Sequence, residues 1–512
     1  MGNWTSTDQA KGKRSNLPIT EEEWNKHEGN NYVIFPHYLE DADDAGDRSG
    51  DEGNGRLRRG PRWSHIEAVL QRKIEDVDQF EKALADLACR EVHCFFFQEF
   101  YSKPSDEAKR FFDVILPTIQ RLALRLPELF PVDQRVPLLL QQRNDKVVLT
   151  QEQCACLLAC SFMGALWIGP IFYAKQAFHE FDVQMLFVAT FGPGVGKLQS
   201  VLHYFDRLSE SIPPGKVTFR RQVLGKRDVP NWAKSTRPIR PIKVDPRGKI
   251  EDADTPFHAD FANKYIGGGV LSRGCVQEEI LFVLKPECLV SMLLCPVMED
   301  NEVIFIHGAE RFSDYQGYAR TLAFGGDYVD TKRTEEGDID NVIVAVDAIV
   351  AWGDIQWLPA SLLRDLNKMY CSCWDPTNAI PGHPLATGNW GCGAFGGDKS
   401  LKAVQQMMAA SQAERDMEYF TFGEKYAGRT LEDWLLELNR FVVEHNLSVG
   451  DLYKVITGGH GANVFEAIFK HGGARNAASD NEPDNNNDDE DETDEGGEDN
   501  EEEEQQPQQQ QQ

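Results

Sequence analysis

Glu278 and Glu279 are the side chains of this chain with the best setting for acid–base chemistry. They lie between a glycine-rich stretch and the apolar run Ile280–Val283, so at least one carboxyl group is expected to abut a core. A partly desolvated carboxyl beside a like charge has a raised pKa, which suits a general acid. Consecutive side chains point in different directions, so one glutamate can face a scissile bond while the other holds hydroxyls. The competing interpretation is a solvated helix face.

Three consecutive glycines, Gly267, Gly268 and Gly269, precede the acid pair. In a helix or strand each would cost about 0.5–1 kcal/mol relative to alanine. They are expected where the backbone turns sharply and presents amides to a ligand, and a plain surface turn is the alternative.

A second glycine loop, Asn389–Asp398, opens a predicted helix over 399–415. Gly391, Gly393 and Gly396 have GxGxxG spacing, and a glycine loop at a helix N-terminus can hold a diphosphate. The loop lies late in its domain, whereas dinucleotide-binding folds carry this motif in their first βαβ unit. Two pairs of aromatic residues also stand out: Tyr315 and Tyr318 in one loop, and Phe420 and Phe422 at the end of a strand. They are either core residues or rings that stack on the two faces of a purine.

Several other motifs are predicted to have no such role. Gly192–Leu198 imitates a phosphate-binding P-loop, but Phe191 stands where the first glycine should be and Leu198 replaces the Ser or Thr that binds magnesium. Gly458–Gly461 resembles a helix cap. No cysteine pair has CxxC spacing, and His258 beside Asp260 has no evident third metal ligand nearby.

The elements that must position these loops fall into two ordered regions, 63–215 and 216–472. The first is expected to be helical, starting at Ser64 and continuing over 105–126, 130–142, 151–168 and 196–210. The second alternates helices with strands at Val217–Phe219, Val303–Ile306, Val342–Val346 and Tyr419–Phe422, which indicates an α/β domain with a largely parallel sheet. Residues 1–62 are expected to be a disordered arm, and residues 473–512 a disordered acidic, Gln-rich tail.

The uncharged stretch Cys154–Ala174 is 21 residues long and must be weighed as a membrane span. A capping box at Thr150–Gln153 and a break at Gly169-Pro170 favour a buried helix instead.

No secretory signal follows Met1, so reduced cysteines in the nucleus and cytoplasm are expected. Met1-Gly2 with Ser6 fits the myristoylation pattern without establishing it.

The chain has 512 residues, of which 41% are hydrophobic, so a large core is possible. Its net charge of −29 includes 16 acidic and no basic residues from Asp480 onward, which leaves −13 (−29 + 16) for the rest. A negative field repels polyanions, so recruitment by sequence-specific nucleic acid is not expected.

These motifs together resemble one family. Gly267-Gly268-Gly269, seven residues, then Gln277-Glu278-Glu279 is similar to the signature of the poly(ADP-ribose) glycohydrolases, preceded by the family-like Asp260–Asn263. Thr387–Asp398 and Tyr419–Gly423 resemble further family motifs, and the similarity extends from about 110 to 457. The resemblance implies a macrodomain-type, three-layer α/β/α catalytic domain with an N-terminal all-helical accessory domain.

The resemblance also implies roles for individual residues. Glu279 would be the general acid, Glu278 would hold ribose hydroxyls and Asp260 would support the pair. The substrate would be bound by residues that fix ribose (Asn263, Gln277), turn the signature loop (Gly267, Gly268, Gly269), contact adenine (Ile250, Glu251, Tyr318, Phe422), wrap the diphosphate (Asn389, Trp390, Gly391, Cys392, Gly393, Ala394) and press on the terminal ribose (Phe395).

The implied reaction is cleavage of ribose–ribose bonds of poly(ADP-ribose) on modified proteins, mainly from chain ends, by a monomer with no metal, cofactor or integral membrane contact. Removal of the terminal, protein-linked ADP-ribose is not implied. Two other functions remain open at this point: a non-catalytic ADP-ribose-binding module, and a nicotinamide-dependent oxidoreductase built on the 391–396 loop.

Overall fold

The computed structural model describes residues 32–33, 35–38, 63–88, 91–166, 178–458 and 463–479, and the fold is given for these. Most of the expected N-terminal arm and the tail beyond residue 479 lie outside them. Where these segments are described, the expected disorder is wrong: Val33 and Phe35 are buried in the core, and a helix over Val464–Ser479 passes the expected boundary at residue 472. Part of the Gly458–Gly461 cap motif also lies outside the described residues.

The N-terminal region is mostly helical. Its helices are α1 (Trp63–Leu70), α2 (Val77–Ala88), α3 (Phe95–Tyr101), α4 (Asp106–Arg110), α5 (Leu116–Leu124), α6 (Leu126–Leu129), α7 (Gln151–Met163) and α8 (Pro193–Glu210). A π-helical turn, Phe111–Ile115, joins α4 to α5, so the helix expected over 105–126 is confirmed apart from a break at Arg125.

An eight-stranded sheet forms the centre of the C-terminal region. Its strands are β1 (Asp145–Thr150), β2 (Lys216–Val223), β3 (Lys243–Asp245), β4 (Phe257–Asp260), β5 (Glu302–His307), β8 (Val342–Ala345), β9 (Leu385–Thr387) and β10 (Met417–Phe420). Two small antiparallel pairs are separate from it: β6 (Ser313–Gln316) with β7 (Ala323–Asp327), and β11 (Lys425–Tyr426) with β12 (Arg429–Thr430).

The strand order across the sheet is β1-β2-β5-β8-β4-β9-β10-β3. Pairing is antiparallel from β1 to β8 and parallel from β8 to β3. The sheet is therefore mixed and not largely parallel as expected, and its parallel half carries the loops predicted to bind substrate.

Helices cover both faces of the sheet. The remaining helices are α9 (Gln277–Leu284), α10 (Ser291–Leu294), α11 (Pro359–Cys373), α12 (Lys399–Gln412), α13 (Leu431–Glu444), α14 (Val449–Thr457) and α15 (Val464–Ser479). In β5, Ile304 and Ile306 join the core of the N-terminal helices and α9, whereas Val303 and Phe305 join the core of α11, α12 and α14. Successive strand residues face opposite sides, so this alternation builds the expected three layers.

Four local expectations were wrong. Residues 130–142 are not a helix: Pro131 and Pro137 interrupt it, and Leu139 bonds instead to the Leu294 carbonyl and the Arg221 guanidinium. The continuous helical spacing expected from Ser64 to Leu84 is split into α1 and α2. The region 63–215 also contributes β1 to the sheet. Finally, α7 ends at Gly164, in left-handed conformation (φ +72°), and does not run to residue 168.

The uncharged stretch that begins at Cys154 forms the buried helix α7, whose side chains are inaccessible on nearly all sides. Its continuation over 167–174 lies outside the described residues. Among the residues described, no helix has both the length and the apolarity needed to span a bilayer.

Candidate active site

The predicted substrate loops meet at one edge of the sheet. The neighbouring parallel strands β8, β4, β9 and β10 lead directly into the loops that start at Val346, Phe261, Gly388 and Thr421. Parallel strands have their carboxyl ends at a common edge, where α/β folds bind ligands. Two hydrogen bonds tie the loops together: Val346 N–H donates to the Asp260 carbonyl (3.1 Å) and Trp390 Nε1–H to the Val346 carbonyl (2.9 Å).

Glu278 and Glu279 occupy the first turn of α9, and 2% and 6% of their surfaces are exposed. Backbone N–H groups bind all four of their oxygens. The two Glu278 oxygens accept from Gly267 (2.7 Å) and Asn263 (2.8 Å), and those of Glu279 accept from Gly269 and Val276 (both 2.9 Å). The structure therefore brings the acid pair and the triple-glycine loop together as predicted, with each glutamate bound to a different part of the loop.

Gly268 fits between the two carboxylates only because it has no side chain. Its φ is +50°, and an added Cβ would lie 2.5 Å from an oxygen of Glu278 and 2.5 Å from an oxygen of Glu279. Such contacts are not tolerated by real Cβ atoms. A close approach of backbone to the acids thus explains this glycine, and the surface-turn alternative does not.

Asp260 ends β4 beneath the acid pair and is fully buried. Neither of its carboxyl oxygens has a hydrogen-bond partner among the described residues. Burial, and then the nearby Glu279 charge, raise the pKa of Asp260 well above its usual range. The pKa of Glu278 is also well raised, by burial and then by Asp260 and Glu279, against the N–H groups of Asn263 and Gly267, which lower it. Burial therefore favours the protonated forms of Asp260 and Glu278.

Replacing Asp260 by asparagine is expected to raise the melting temperature at pH 7, by roughly 2–4 °C for each kcal/mol of penalty removed. In the unfolded chain Asp260 ionises near its ordinary value of 3.8, whereas the folded state keeps its proton to higher pH. Folded wild type therefore loses stability, relative to the variant, as the pH rises above about 4. Thermal unfolding from pH 4 to pH 8 measures this. If the variant showed no gain in melting temperature, or the same gain at every pH, the raised pKa of Asp260 would be contradicted.

Asn263 and Gln277 use their amides to shape the loop. Asn263 Oδ1 accepts from Tyr265 N–H (3.0 Å). Gln277 Oε1 accepts from Phe261 N–H (2.8 Å), and its Nε2 donates to the Ala259 carbonyl (3.1 Å). Both side chains are half-buried beside the acids.

Tyr318 and Phe422 are exposed aromatic rings at the same edge, with 53% and 45% of their surfaces accessible. Burial raises the pKa of the Tyr318 hydroxyl against the nearby Gln277 backbone, which lowers it, so this end of the side chain lies beside the start of α9. Phe422 has a φ of +54°, unusual for a bulky residue, and its ring leans over Gly388. None of the described aromatic side chains stacks on either ring, and about half of each side chain remains accessible to a ligand.

Ile250 and Glu251 lie beside the two segments that carry Tyr318 and Phe422. Ile250 is buried in a small apolar cluster with Phe420 and Ala386. The Glu251 carboxylate accepts from the Tyr315 hydroxyl (2.6 Å). Of the four aromatics singled out in the sequence, Phe420 belongs to the core and Tyr315 positions Glu251, which leaves Tyr318 and Phe422 as surfaces for a base.

The 389–395 loop turns at Gly391 (φ +71°) above the fully buried ring of Trp390. Asn389 Oδ1 accepts from the Tyr419 hydroxyl (3.1 Å), and burial raises the pKa of the Cys392 thiol to about 12, which leaves it protonated. The consecutive N–H groups of Gly393, Ala394 and Phe395 donate to none of the described residues. Three free amides just before α12, which Asp398 caps, form a cradle for an anion.

Lys197 was not recognised as part of the site from the sequence. It belongs to the motif that imitates a P-loop, and the structure confirms that this motif starts a helix, α8. Its lysine points instead at the carbonyl groups of the loop after Gly269. Lys197 and these carbonyl groups are more than 70 residues apart in the chain, so no sequence pattern indicates that they are in contact.

No group of three or more His, Cys, Asp or Glu side chains that could hold a metal occurs in the described part of the chain. His258 is buried and its Nε2 pairs with the Thr255 carbonyl (2.7 Å), whereas its Nδ1 has no hydrogen-bond partner among the described residues.

Comparison with known proteins gives two family matches. Residues 229–429 match the model described as poly(ADP-ribose) glycohydrolase (PARG), macro domain fold, and residues 103–221 match the helical domain of the same family. Poly(ADP-ribose) glycohydrolase 1 of Arabidopsis thaliana is 32% identical, covering 78% of this chain and 87% of that protein. Probable poly(ADP-ribose) glycohydrolase 2 of the same plant is 31% identical, covering 68% and 78%.

Among solved structures, a poly(ADP-ribose) glycohydrolase from Deinococcus radiodurans in complex with ADP-ribose matches with 15% identity. The match covers 43% of this chain and 94% of that one, with a TM-score of 0.27. A TM-score of this size supports no conclusion about the site.

Proposed function

The chain belongs to the poly(ADP-ribose) glycohydrolase family and hydrolyses poly(ADP-ribose) to ADP-ribose, and from that premise we propose which of its residues carry out the reaction. Glu279 acts as the general acid on the ribose–ribose O-glycosidic bond, and Glu278 holds hydroxyls of the reacting riboses. The observation that carries this assignment is the burial of two adjacent carboxyl groups, each fixed by two backbone N–H groups, at the substrate edge of the sheet.

The reaction begins with proton transfer. Glu279 is the most exposed member of the carboxyl cluster, at 6% against 2% for Glu278 and 0% for Asp260, so it is the member that meets the leaving oxygen. Protonation of that oxygen releases the polymer and leaves an oxocarbenium-like ribose. The Glu279 carboxylate then takes a proton from the water that attacks this ribose. Glycoside cleavage by carboxyl groups needs no metal, and we propose a metal-independent reaction.

The substrate is held by the rest of the edge. Gly393, Ala394 and Phe395 offer free N–H groups to the diphosphate, and Tyr318 and Phe422 offer ring faces to the adenine. Ile250 and Glu251 line the adenine edge, and Phe395 presses the terminal ribose toward the acids. Neutral backbone amides can bind the end of a polymer chain without a basic surface, which is compatible with the net charge of −29. This mode of binding supports release of ADP-ribose mainly from chain ends. The reaction reverses poly-ADP-ribosylation of proteins.

The function is tested by incubating the full chain with end-labelled poly(ADP-ribose), with and without a chelator, and separating the products by chromatography. We expect ADP-ribose from the earliest time points and the same rate in both samples. Absence of ADP-ribose would contradict the function. Long internal fragments at early times would contradict chain-end release, and inhibition by the chelator would contradict metal independence.

Replacing Phe422 by alanine is expected to weaken ADP-ribose binding by roughly 5- to 150-fold, since stacking on an aromatic ring contributes about 1–3 kcal/mol per base. The weaker binding should raise the KM for polymer and the calorimetric Kd for ADP-ribose, with a smaller change in kcat. Phe95→Ala is the matched control, because Phe95 on α3 is equally exposed (43%) and lies in the helical region. Equal effects of the two variants would rule out a specific role for Phe422.

A further inference from the structure

Lys197 on α8 is a buried cation whose partners are backbone carbonyls. Only 1% of its surface is exposed. Its Nζ donates to the carbonyl oxygens of Val270 (2.7 Å), Ser272 (2.8 Å) and Gly274 (2.7 Å), and it lies 3.5 Å from that of Gly269. No carboxylate of the described residues lies within 4 Å of it, so a loop of the catalytic region encloses a charge that comes from the helical region.

The other side of the same loop contacts Glu279. Gly269 N–H donates to Glu279 Oε1 (2.9 Å), and Gly274 N–H closes the loop by donating to the Gly269 carbonyl (2.9 Å). Gly274 is packed so closely on the acid that an added Cβ would lie 2.4 Å from Glu279 Oε1. A shift of the 269–274 loop therefore moves the Glu279 carboxyl with it.

Lys197 and Glu279 also interact electrostatically. Burial lowers the pKa of Lys197 to about 8, while the charges of Glu279 on α9 and Cys275 in the adjoining segment favour its protonated form. A buried ammonium without a paired carboxylate is costly, because carbonyl groups replace only part of its hydration. Stability alone does not explain why a lysine occupies this position.

We propose that Lys197 is a positioning residue for the glycosidase reaction: its ammonium group fixes the 269–274 loop around Glu279 and stabilises the Glu279 carboxylate once that group has given up its proton. The inference rests on the function proposed above. It assigns the helical region a part in the chemistry, since α8 supplies a cation that the catalytic region does not place there itself.

The test compares Lys197→Met with Lys368→Met. Lys368 on α11 is also buried and donates to the Glu299 carbonyl while pairing with Asp347, so its loss reports the cost of removing a buried lysine plus that of leaving Asp347 without this cation. For Lys197→Met we expect kcat to fall roughly 10- to 100-fold, the size of effect that a misplacement of about 1 Å produces. Its Kd for ADP-ribose should stay within about twofold, and Lys368→Met should keep wild-type kcat.

The pH profile separates positioning by charge from simple packing. Wild-type kcat should decline above about pH 8, where Lys197 loses its proton. Lys197→Arg stays charged at higher pH, so its decline should begin at higher pH whatever its absolute rate. An alkaline decline of Lys197→Arg at the wild-type position would overturn the inference, even if Lys197→Met does not fold.

The remaining outcomes are also decisive. A folded Lys197→Met with wild-type kcat would overturn the role of Lys197 while leaving the hydrolase function intact. Failure of the wild-type chain itself to release ADP-ribose would instead contradict the proposed function, and this inference with it.

Discussion

Replacing Glu279 by glutamine is expected to lower kcat by at least about 10³-fold while leaving the affinity for ADP-ribose nearly unchanged. General acid–base catalysis contributes roughly 10²- to 10⁴-fold, and here one group serves both as the acid for the leaving oxygen and as the base for water. Glutamine has almost the same shape but transfers no proton. Chromatography of products from purified polymer gives kcat, and calorimetry with ADP-ribose gives the affinity.

The matched control is Glu418→Gln. Glu418 lies in β10, is similarly buried (7%) and pairs with Lys243, so its replacement should leave turnover unchanged. Comparable turnover in Glu279→Gln and wild type would show that another group donates the proton. Loss of ADP-ribose binding in step with turnover would show that Glu279 serves binding, which would remove the reason to assign it the proton transfer.

Replacing Gly268 by alanine is expected to reduce kcat by about 10²-fold or more. The new Cβ would lie 2.5 Å from oxygens of both glutamates, so the two carboxyl groups, the loop or the start of α9 must move by about half an ångström or more to restore a contact of 3.0 Å. Displacements approaching 1 Å at reacting groups cost about 10²-fold. The left-handed backbone adds a separate stability cost of about 1–3 kcal/mol, which is read from thermal unfolding.

Gly382→Ala separates these two effects. Gly382 has a similar left-handed φ of +67°, but an added Cβ there would meet nothing within 4 Å. Both variants should lose comparable stability, and only Gly268→Ala should lose activity. Full activity in Gly268→Ala would mean that the glutamates tolerate displacement, and the geometry given above for the acid pair would then be wrong.

Part of the fold could be predicted from periodicity. The helices α5, α8 and α12 and the apolar strands β5 and β8 have enough residues for a repeat to be recognised. The strands β3 and β9 have three residues each, too few to show alternation, and β4 ends in His258 and Asp260, whose polarity conceals a fully buried strand. The apolar 130–142 segment resembled a helix, but its backbone is satisfied by Leu294 and Arg221, which are distant in sequence.

The candidate site could be predicted where its parts are local. The three glycines, the adjacent acids and the helix that follows lie within 18 residues (267–284), and their order already requires the backbone to turn onto the first turn of α9. The second glycine loop was predicted for the same reason, because a loop that feeds a helix can be recognised from the chain itself.

What the sequence determined by itself is which groups are available: two neighbouring carboxyl groups, two loops without side chains and a helix to present them. Tertiary structure alone decided how those groups behave. The raised pKa of Asp260 comes from complete burial, the meeting of the two loops comes from strand order, and the enclosure of Lys197 comes from a helix some 75 residues away. Electric fields and close contacts depend on distance in space, which the order of residues along a chain does not specify.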